Sequence, residues 1–447
     1  MIKNFKFDKN NPFLESTAED ILRPVGISKG FIAWMGFLFA ALAVCLYAYS
    51  IQLREGLGVT GMRDYISWGM YIANFVFFVA AALIGMLISA VLGLIGIKWI
   101  TPVSRIAEII AVAFAAVAGL VIVSDMGRPD RLPYVFRFGR VQSPILWDVT
   151  VVTTYMFISI LLWFLPMIPD FEISKTRLKN APPIVLKVFD ILSLKWTHHP
   201  KQYKLLLKSM RILLILIIPT AFAIHTVTSW LFAVTPKPGW DSTIFGPYFL
   251  TGAFVAGAAA VIVLMFILRK LYKFEAYWPD DLFDKLGKLL VLVSLVYLYF
   301  NINEFLVPAY KMKKFDAPHI HELFAGRYAP MFWLSQGFGL ILPIILLLFK
   351  QMRKPVPLTL VSVGVVIASW FKRFIIVIPT QAHQYLPFQY VPEKWLVYKP
   401  TLIEIAVTMA SFILVLIIIT ILSKLFPVLP IWEIAAEKQA ESEKEKQ

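Results

Sequence analysis

The sequence predicts an all-α integral membrane protein with about ten transmembrane helices, and three observations lead to this fold class. Hydrophobic residues make up 59% of the 447 positions and charged residues only 16%, whereas soluble domains are about half apolar and about a quarter charged. The apolar residues fall in repeated runs of about 20, the length that crosses a hydrocarbon core of roughly 30 Å. Between the runs lie polar segments that contain Gly and Pro, which are typical of connections.

The ten apolar runs form one membrane domain over residues 30–426. It follows a polar cytoplasmic segment, 1–29, without the apolar core of a cleavable signal, so we expect the first helix to act as an uncleaved insertion signal. It precedes a charged tail, 427–447, whose end beyond Trp432 we expect to be solvated and frayed. The predicted spans are 30–52, 66–96, 105–126, 145–166, 208–234, 245–270, 285–308, 330–350, 356–379 and 401–426.

The net charge of +15 arises mainly between the spans, so it indicates membrane topology and lipid contact rather than nucleic-acid binding. Of the 43 Lys and Arg residues, 28 lie on the side of the two termini and 13 on the opposite side. Because cytoplasmic loops are enriched in Lys and Arg, the sequence predicts cytoplasmic termini. The loops at 53–65, 127–144, 235–244, 309–329 and 380–400 would then face the outside, which is the periplasm of a Gram-negative cell.

Ligands for metals and redox clusters are scarce in this chain. Cys45 is the single cysteine, so it forms no internal disulfide and cannot alone hold an iron–sulfur cluster. His225 is the one histidine well inside a span, whereas a transmembrane b-type haem usually needs two facing histidines. The pair His319-x-His321 is weak evidence for a metal. We therefore expect no metal or haem here, and any redox centre on another subunit.

Two acidic residues flank the loop between the third and fourth spans. Asp125 ends one span and Asp148 begins the next. An ionisable group at membrane depth is costly and is by default a functional candidate. The cluster forms either a polar pocket that exchanges protons with a hydroxylated ring or a salt-bridge network that caps two helices. The loop between the acids carries Arg128, Asp130, Arg131, Arg137 and Arg140.

Other ionisable residues lie at several depths of the later spans. His225 lies in the fifth span, Glu304 near the outer end of the seventh, and Lys372 and Arg373 in the ninth, with His383 just beyond it. Acids, bases and histidines at several depths suit a proton path. They equally suit paired charges that hold helices together, and a lone buried histidine is often structural.

Four strings together resemble the NrfD/polysulfide-reductase C family of membrane quinone-reactive subunits. The resemblance runs from about residue 60 to 425, and the last string looks most like the larger, ten-helix branch, which includes the membrane subunits of alternative complex III and of the menaquinone reductase complex. The strings are DYISWGMYIAN at 64–74, DMGRPDR at 125–131, SPILWD at 143–148, and HTVTSW at 225–230 followed by PGWDSTIFGPYF at 238–249.

The resemblance implies a core of two four-helix bundles with two added helices. It implies that menaquinone or menaquinol binds near the periplasmic face of a bacterial inner-membrane protein without its own redox cofactor. The partners implied are a periplasmic, ferredoxin-like iron–sulfur subunit, multihaem cytochrome c and molybdopterin-type subunits, and a second membrane subunit as a further candidate. Where the alternative complex III branch usually has an acid after Ser-Trp, this chain has Leu231, which favours a subunit that need not pump protons.

Site residues are implied by motif position. Catalytic roles fall to Asp125, Asp148 and His225. Quinone binding falls to Tyr71, Asn74, Asp125, Arg128, Trp147 and Asp148, and proton transfer falls to His225, Glu304, Arg373 and His383.

Two functions of other classes remain open on the residues alone. A secondary transporter also carries charges at several depths, but it predicts broken helices at matching places in two halves, and the sequence has no convincing breaks of that kind. A purely structural anchor for a peripheral reductase predicts that the acidic and arginine cluster is dispensable.

Overall fold

A computed structural model describes residues 12–178, 182–383, 392 and 395–445, and its regular secondary structure is helical throughout this part. Ten of its helices are long and apolar enough to cross a membrane, which confirms the prediction of ten spans. They are α1 (Lys29–Glu55), α2 (Met70–Ile95), α3 (Thr101–Asp125), α4 (Pro144–Phe164), α5 (Pro200–Ala233), α6 (Phe245–Tyr272), α7 (Asp280–Lys311), α8 (Ala329–Leu348), α9 (Pro355–Ala382) and α10 (Leu402–Leu425).

The membrane helices pack in the order of the chain. Helices α2 to α5 contact one another in succession and α5 returns to α2, while α6 to α9 repeat this arrangement and α9 returns to α6. Helix α1 pairs with α10 on the outside. Helix α2 joins the two groups, since 88% of its most apolar stretch is buried, compared with 17% for α1. A side chain on Gly85 of α2 would lie 2.9 Å from Ala107, so these helices approach too closely for any larger residue.

Alternation of the helices gives the bundle two ends. The terminal end holds the first and last described helices, Pro12–Leu22 and Ile431–Glu445, and the distal end holds the loops at 56–69, 126–143, 234–244 and 312–328. Helix α5 begins at Pro200, eight residues before the predicted start, because His199 accepts a hydrogen bond from the backbone N–H of Lys201 and caps the first turn. The polar connection before it contains two short helices, Met167–Arg177 and Pro183–Leu192.

The expectation of a solvated C-terminal tail is wrong for its first half. The helix Ile431–Glu445 packs against the N-terminal helix Pro12–Leu22 at the terminal end. Trp432 is 1% exposed, and its indole N–H donates to the Pro166 carbonyl oxygen at 2.9 Å. Ala435 and Ala436 are buried as well. The small apolar residues among the charges form the buried face of this helix. The high charge of the tail as a whole hides this amphipathic pattern in the sequence.

Helix α8 departs from regular α-helical geometry. Residues Leu334–Ile341 form a π-helical stretch, a feature that is common at functional sites. Gly339 lies against Ala368 of α9, where an added side-chain atom would approach to 2.3 Å. In the same stretch Gln336 accepts a 2.7 Å hydrogen bond from Asn301 of α7. The π-helical stretch thus contains the buried Gln336 amide that contacts α7.

Candidate functional site

Asp148 is a buried carboxylate between α4 and α5. Pro144 opens α4 at its first position, which places Asp148 in the second turn, and the side chain is 4% exposed. The Thr228 hydroxyl donates to Asp148 Oδ1 at 2.5 Å. Within the described residues, neither Asp148 nor Asp125 belongs to an ion pair. A carboxyl group held in this way by one hydroxyl can carry a proton without a competing fixed cation.

The loop arginines do not surround these acids, contrary to the expected carboxylate–arginine cluster. Arg128 is 65% exposed and pairs with Asp130 at 3.1 Å. This pair lowers the pKa of Asp130 below its usual value. The interaction is local because the residues lie two apart in a short 3₁₀ turn, and charged side chains on a loop gain more from water than from burial. The arginines are close to the two acids in the sequence, but the conformation of the loop does not bring Arg128 into contact with either acid.

Tyr71 and Asp125 lie in a second polar cluster near the distal end. Tyr71 is fully buried, and its hydroxyl donates to Gln52 Oε1 at 2.6 Å. Gln52 in turn donates to the Ser124 carbonyl oxygen at 2.7 Å. Asp125 Oδ1 is buried without a hydrogen-bond partner among the described residues. Because such orphaned atoms are rare, this oxygen is available to a water or a ligand.

Glu404 of α10 fixes the distal loops around this cluster. Its carboxylate accepts hydrogen bonds from the Tyr398 hydroxyl at 2.5 Å, from the Gly61 backbone N–H at 2.7 Å and from the Thr401 backbone N–H at 2.9 Å. The family motifs did not select Gln52 or Glu404, although Glu404, at the start of the tenth span, is one of the ionisable residues that suit a proton path. The contacts of Glu404 with Gly61 and of Gln52 with Ser124 join segments that are distant in the chain, and the local signal is the Thr401-x-x-Glu404 capping box.

Asn74 and Trp147 have protein partners in this structure. The Asn74 amide donates to Thr408 Oγ1 at 2.8 Å and accepts from the Trp370 indole at 2.7 Å, so it joins α2 to α9 and α10. The Trp147 indole N–H donates to the Val141 carbonyl oxygen. The Trp147 ring meets the Trp230 ring edge to face at 6.3 Å. Trp147 thus lies on the face that Asp148 shares with α5.

Buried basic residues of α5 and α9 lie against aromatic rings of α6. His225 is fully buried, lies 6.1 Å from the Phe249 ring, and has no partner for either ring nitrogen among the described residues. Arg373 is 1% exposed and stacks over Phe249 at 5.5 Å. Lys372 is 4% exposed, and its Nζ likewise has no hydrogen-bond partner in the described part of the chain. Three aromatic rings surround this Nζ instead: Phe305 at 4.6 Å, Tyr248 at 5.4 Å and Phe332 at 5.5 Å.

Glu304 and Lys372 line one cavity of about 30 Å³. This volume holds one or two waters. The Ser242 hydroxyl donates to Glu304 Oε2 at 2.6 Å.

His319, from the loop helix Asp316–Phe324, lines the same cavity, and its ring lies 5.9 Å from that of His383. Burial and His383 lower the pKa of His319 to about 3, and burial lowers the pKa of His383 although Glu322 opposes that shift.

The predicted residues therefore separate into two regions of the distal half. Asp125, Asp148 and Tyr71 lie in the group α2 to α5, whereas Glu304, Arg373 and His383 lie with α6 to α9. His225 faces from the first group to the second. Among the described residues, no set of three or more His, Cys, Asp or Glu side chains converges on a point that a metal could occupy.

Residues 58–384 match the family described as polysulphide reductase, NrfD. The chain belongs to this family. The match covers α2 to α9, the two groups that contain the candidate residues, and leaves α1 and α10 outside. The NrfD-family chain is an integral, multi-pass membrane subunit of the kind found in oxidoreductase complexes.

Named relatives agree with this assignment. The chain is 28% identical over 417 residues to a selenate reductase subunit of Mesobacillus selenatarsenatis, with 90% of this chain and 95% of the relative covered. It is 28% identical over 344 residues to a putative dimethyl sulfoxide reductase membrane subunit of Halobacterium salinarum, covering 74% and 73%. It is 30% identical over 152 residues to the menaquinone reductase integral membrane subunit of Nitratidesulfovibrio vulgaris, covering 34% and 36%.

Proposed function

We propose that this subunit binds menaquinone or menaquinol at the distal end and exchanges electrons with an iron–sulfur subunit docked there. Oxidation of the quinol releases two electrons and two protons, and reduction of the quinone takes up the same. The chain has one cysteine, Cys45, so the electrons must pass to or from a cluster on a partner. The menaquinone reductase relative supports the choice of substrate.

In this proposal the protein lies in a bacterial inner membrane. Its distal end faces the periplasm, and its termini lie on the cytoplasmic side. The excess of Lys and Arg at the terminal end supports that orientation. A ferredoxin-like subunit would then cover the distal loops. Multihaem cytochrome c and molybdopterin-type subunits, with a second membrane subunit, are the candidates for the rest of the complex.

Asp148 is the observation that carries the proposal. It lies in the family motif SPILWD, at the start of a predicted span, and it is buried. Its hydrogen bond comes from the Thr228 hydroxyl, and no cation among the described residues pairs with it. Such a carboxyl group can accept a proton from a quinol hydroxyl or return one to a quinone oxygen. Asp125 and Tyr71 serve the same ring from α3 and α2. His225, Glu304, Arg373 and His383 carry protons through the second group of helices.

The test is Asp148→Asn in the intact complex, purified in a mild detergent. We expect quinone-dependent turnover to fall at least 100-fold while the iron–sulfur partner still co-purifies. Asp281→Asn is the control, because Asp281 is an exposed acid in the first turn of α7, away from the distal loops, and it should leave turnover unchanged. Normal turnover in Asp148→Asn would instead favour the structural anchor, and solute uptake by a lone chain would favour the transporter.

A further inference from the structure

A groove opens at the distal end between the last turns of α5 and the first turns of α6. Its volume is about 490 Å³, far larger than the cavity beside Glu304. Trp230 forms one wall and is 43% exposed, so the groove opens to the outside of the bundle. The lining residues are Thr226, Trp230, Ala233, Asp241, Ser242, Thr243, Gly246, Pro247 and Leu250.

Small residues create this groove. Gly246 on α6 faces Ser229 on α5, and an added side-chain atom there would lie 3.5 Å from the Ser229 hydroxyl oxygen. On the opposite wall, the small side chain of Ala233 on α5 leaves space in the groove. Toward the membrane centre, Phe222 and Phe254 meet edge to face at 6.4 Å and close the space between the helices. The groove therefore ends at this aromatic pair.

The groove touches both candidate regions. Ser242 on its polar edge donates to Glu304, which is buried behind it. Trp230 on the opposite wall meets Trp147, the neighbour of Asp148. A ligand in the groove thus lies between the acid of the first helix group and the acid of the second, with one hydroxyl bridging it to Glu304.

We propose that this groove binds the ring of the naphthoquinone or naphthoquinol as it arrives from the bilayer. The inference rests on the proposed function and adds a binding site to it. Ligand pockets typically measure 300–1,000 Å³, roughly the range that includes this groove. A bicyclic ring with oxygens at opposite edges fits a wall formed by Trp230 and a polar edge formed by Ser242 and Thr243. The isoprenoid tail remains in lipid.

The first test fills the groove in the intact complex. Gly246→Leu fills it from α6 and Ala233→Phe fills it from α5, so the two variants do not share one folding risk. Gly119→Leu is the matched control, because Gly119 on α3 has open space around it. With 2-methyl-1,4-naphthoquinol as substrate, we expect KM to rise at least 10-fold in both filled variants, kcat at saturation to change less than 3-fold, and the control to match the wild type.

The second test locates the ring directly. An azido-substituted 2-methyl-1,4-naphthoquinone should label the peptides that contain Trp230 or Thr243 on illumination, and Gly246→Leu should remove most of that label. Labelling elsewhere that Gly246→Leu does not reduce, together with unchanged KM values, overturns the groove site. That result leaves the proposed function standing if Asp148→Asn has lost turnover. If Asp148→Asn retains turnover, the proposed function fails independently of the labelling.

Discussion

Thr228 and Asp148 join α5 to α4 through a 2.5 Å hydrogen bond between a buried hydroxyl and a buried carboxyl oxygen. Eighty positions separate the two residues in the chain. The contact holds the orientation of Asp148 toward the interior of the first helix group. It also makes the hydroxyl the one described protein donor to this acid.

Thr228→Val removes that donor and keeps the shape of the side chain. Loss of a hydrogen bond to a buried polar group costs about 1–3 kcal/mol, so we expect a lower thermal unfolding temperature in detergent. Quinone turnover should fall as well, because the carboxyl group is free to rotate. Thr228→Ser, which restores the hydroxyl, should recover both properties. Equal turnover in the Val and Ser variants would show that the contact has no role in the reaction.

Much of the fold follows from the sequence because the bilayer imposes a length on each apolar run. The ten helices and their order are predicted correctly, and so is the family from its motifs. Helix ends are less predictable. Lys201 and Lys204, which end the hydropathy signal before α5, still lie within that helix because lysines continue a helix into the headgroup region.

The candidate site is predictable only where a motif is local. The string SPILWD locates Asp148, but nothing in it indicates Thr228, and nothing near Glu404 indicates Gly61, 343 positions away. Those pairs depend on how helices from distant parts of the chain pack. Arg128 shows the opposite case. It is only three positions from Asp125 in the sequence, but it pairs with Asp130 instead.

Gly61 is expected to tolerate no side chain. Its backbone N–H donates to Glu404, and an added side-chain atom would lie 2.1 Å from the Lys399 carbonyl oxygen. Gly61→Ala must therefore move one of two backbone segments, with a cost typical of overpacking, about 1–3 kcal/mol. Gly58→Ala, in the same loop but with open space around it, is the control. Thermal unfolding of both purified variants decides the matter, and equal stability would contradict the close contact.

Docking of the C-terminal helix should weaken as pH rises. Burial raises the pKa of Asp170 and of Glu433 to about 7, although Arg105 opposes the shift. Both values exceed the ordinary ones, so the folded state binds these protons more tightly than the unfolded state does. The stability they contribute is therefore complete at acidic pH and is lost as pH rises through about 7.

Hydrogen exchange of the peptide around Trp432 measures this effect. After correction for intrinsic rates, exchange should be faster at pH 8.5 than at pH 5.5. Glu433→Gln, which keeps a neutral group of similar size, should flatten the dependence. Protection that is independent of pH in the wild type would contradict the assignment of these carboxyls.

Lys372 offers a test in which activity should fall without a loss of stability. Its Nζ is enclosed by aromatic rings and faces the small cavity that contains Glu304. Removing a buried charge that has no ion pair among the described residues relieves a desolvation cost of several kcal/mol, which offsets the lost cation–π contacts, worth about 2 kcal/mol or more. Lys372→Met should therefore leave the unfolding temperature unchanged or slightly higher.

Turnover with a quinol should nevertheless fall about 10-fold in Lys372→Met, because the cavity loses an amine that can pass a proton between its water and Glu304. Lys311→Met, at the exposed end of α7, is the control and should change neither property. A lower unfolding temperature combined with normal turnover would instead make Lys372 a packing residue. In that case the proposed proton route through His225, Glu304, Arg373 and His383 would not include Lys372.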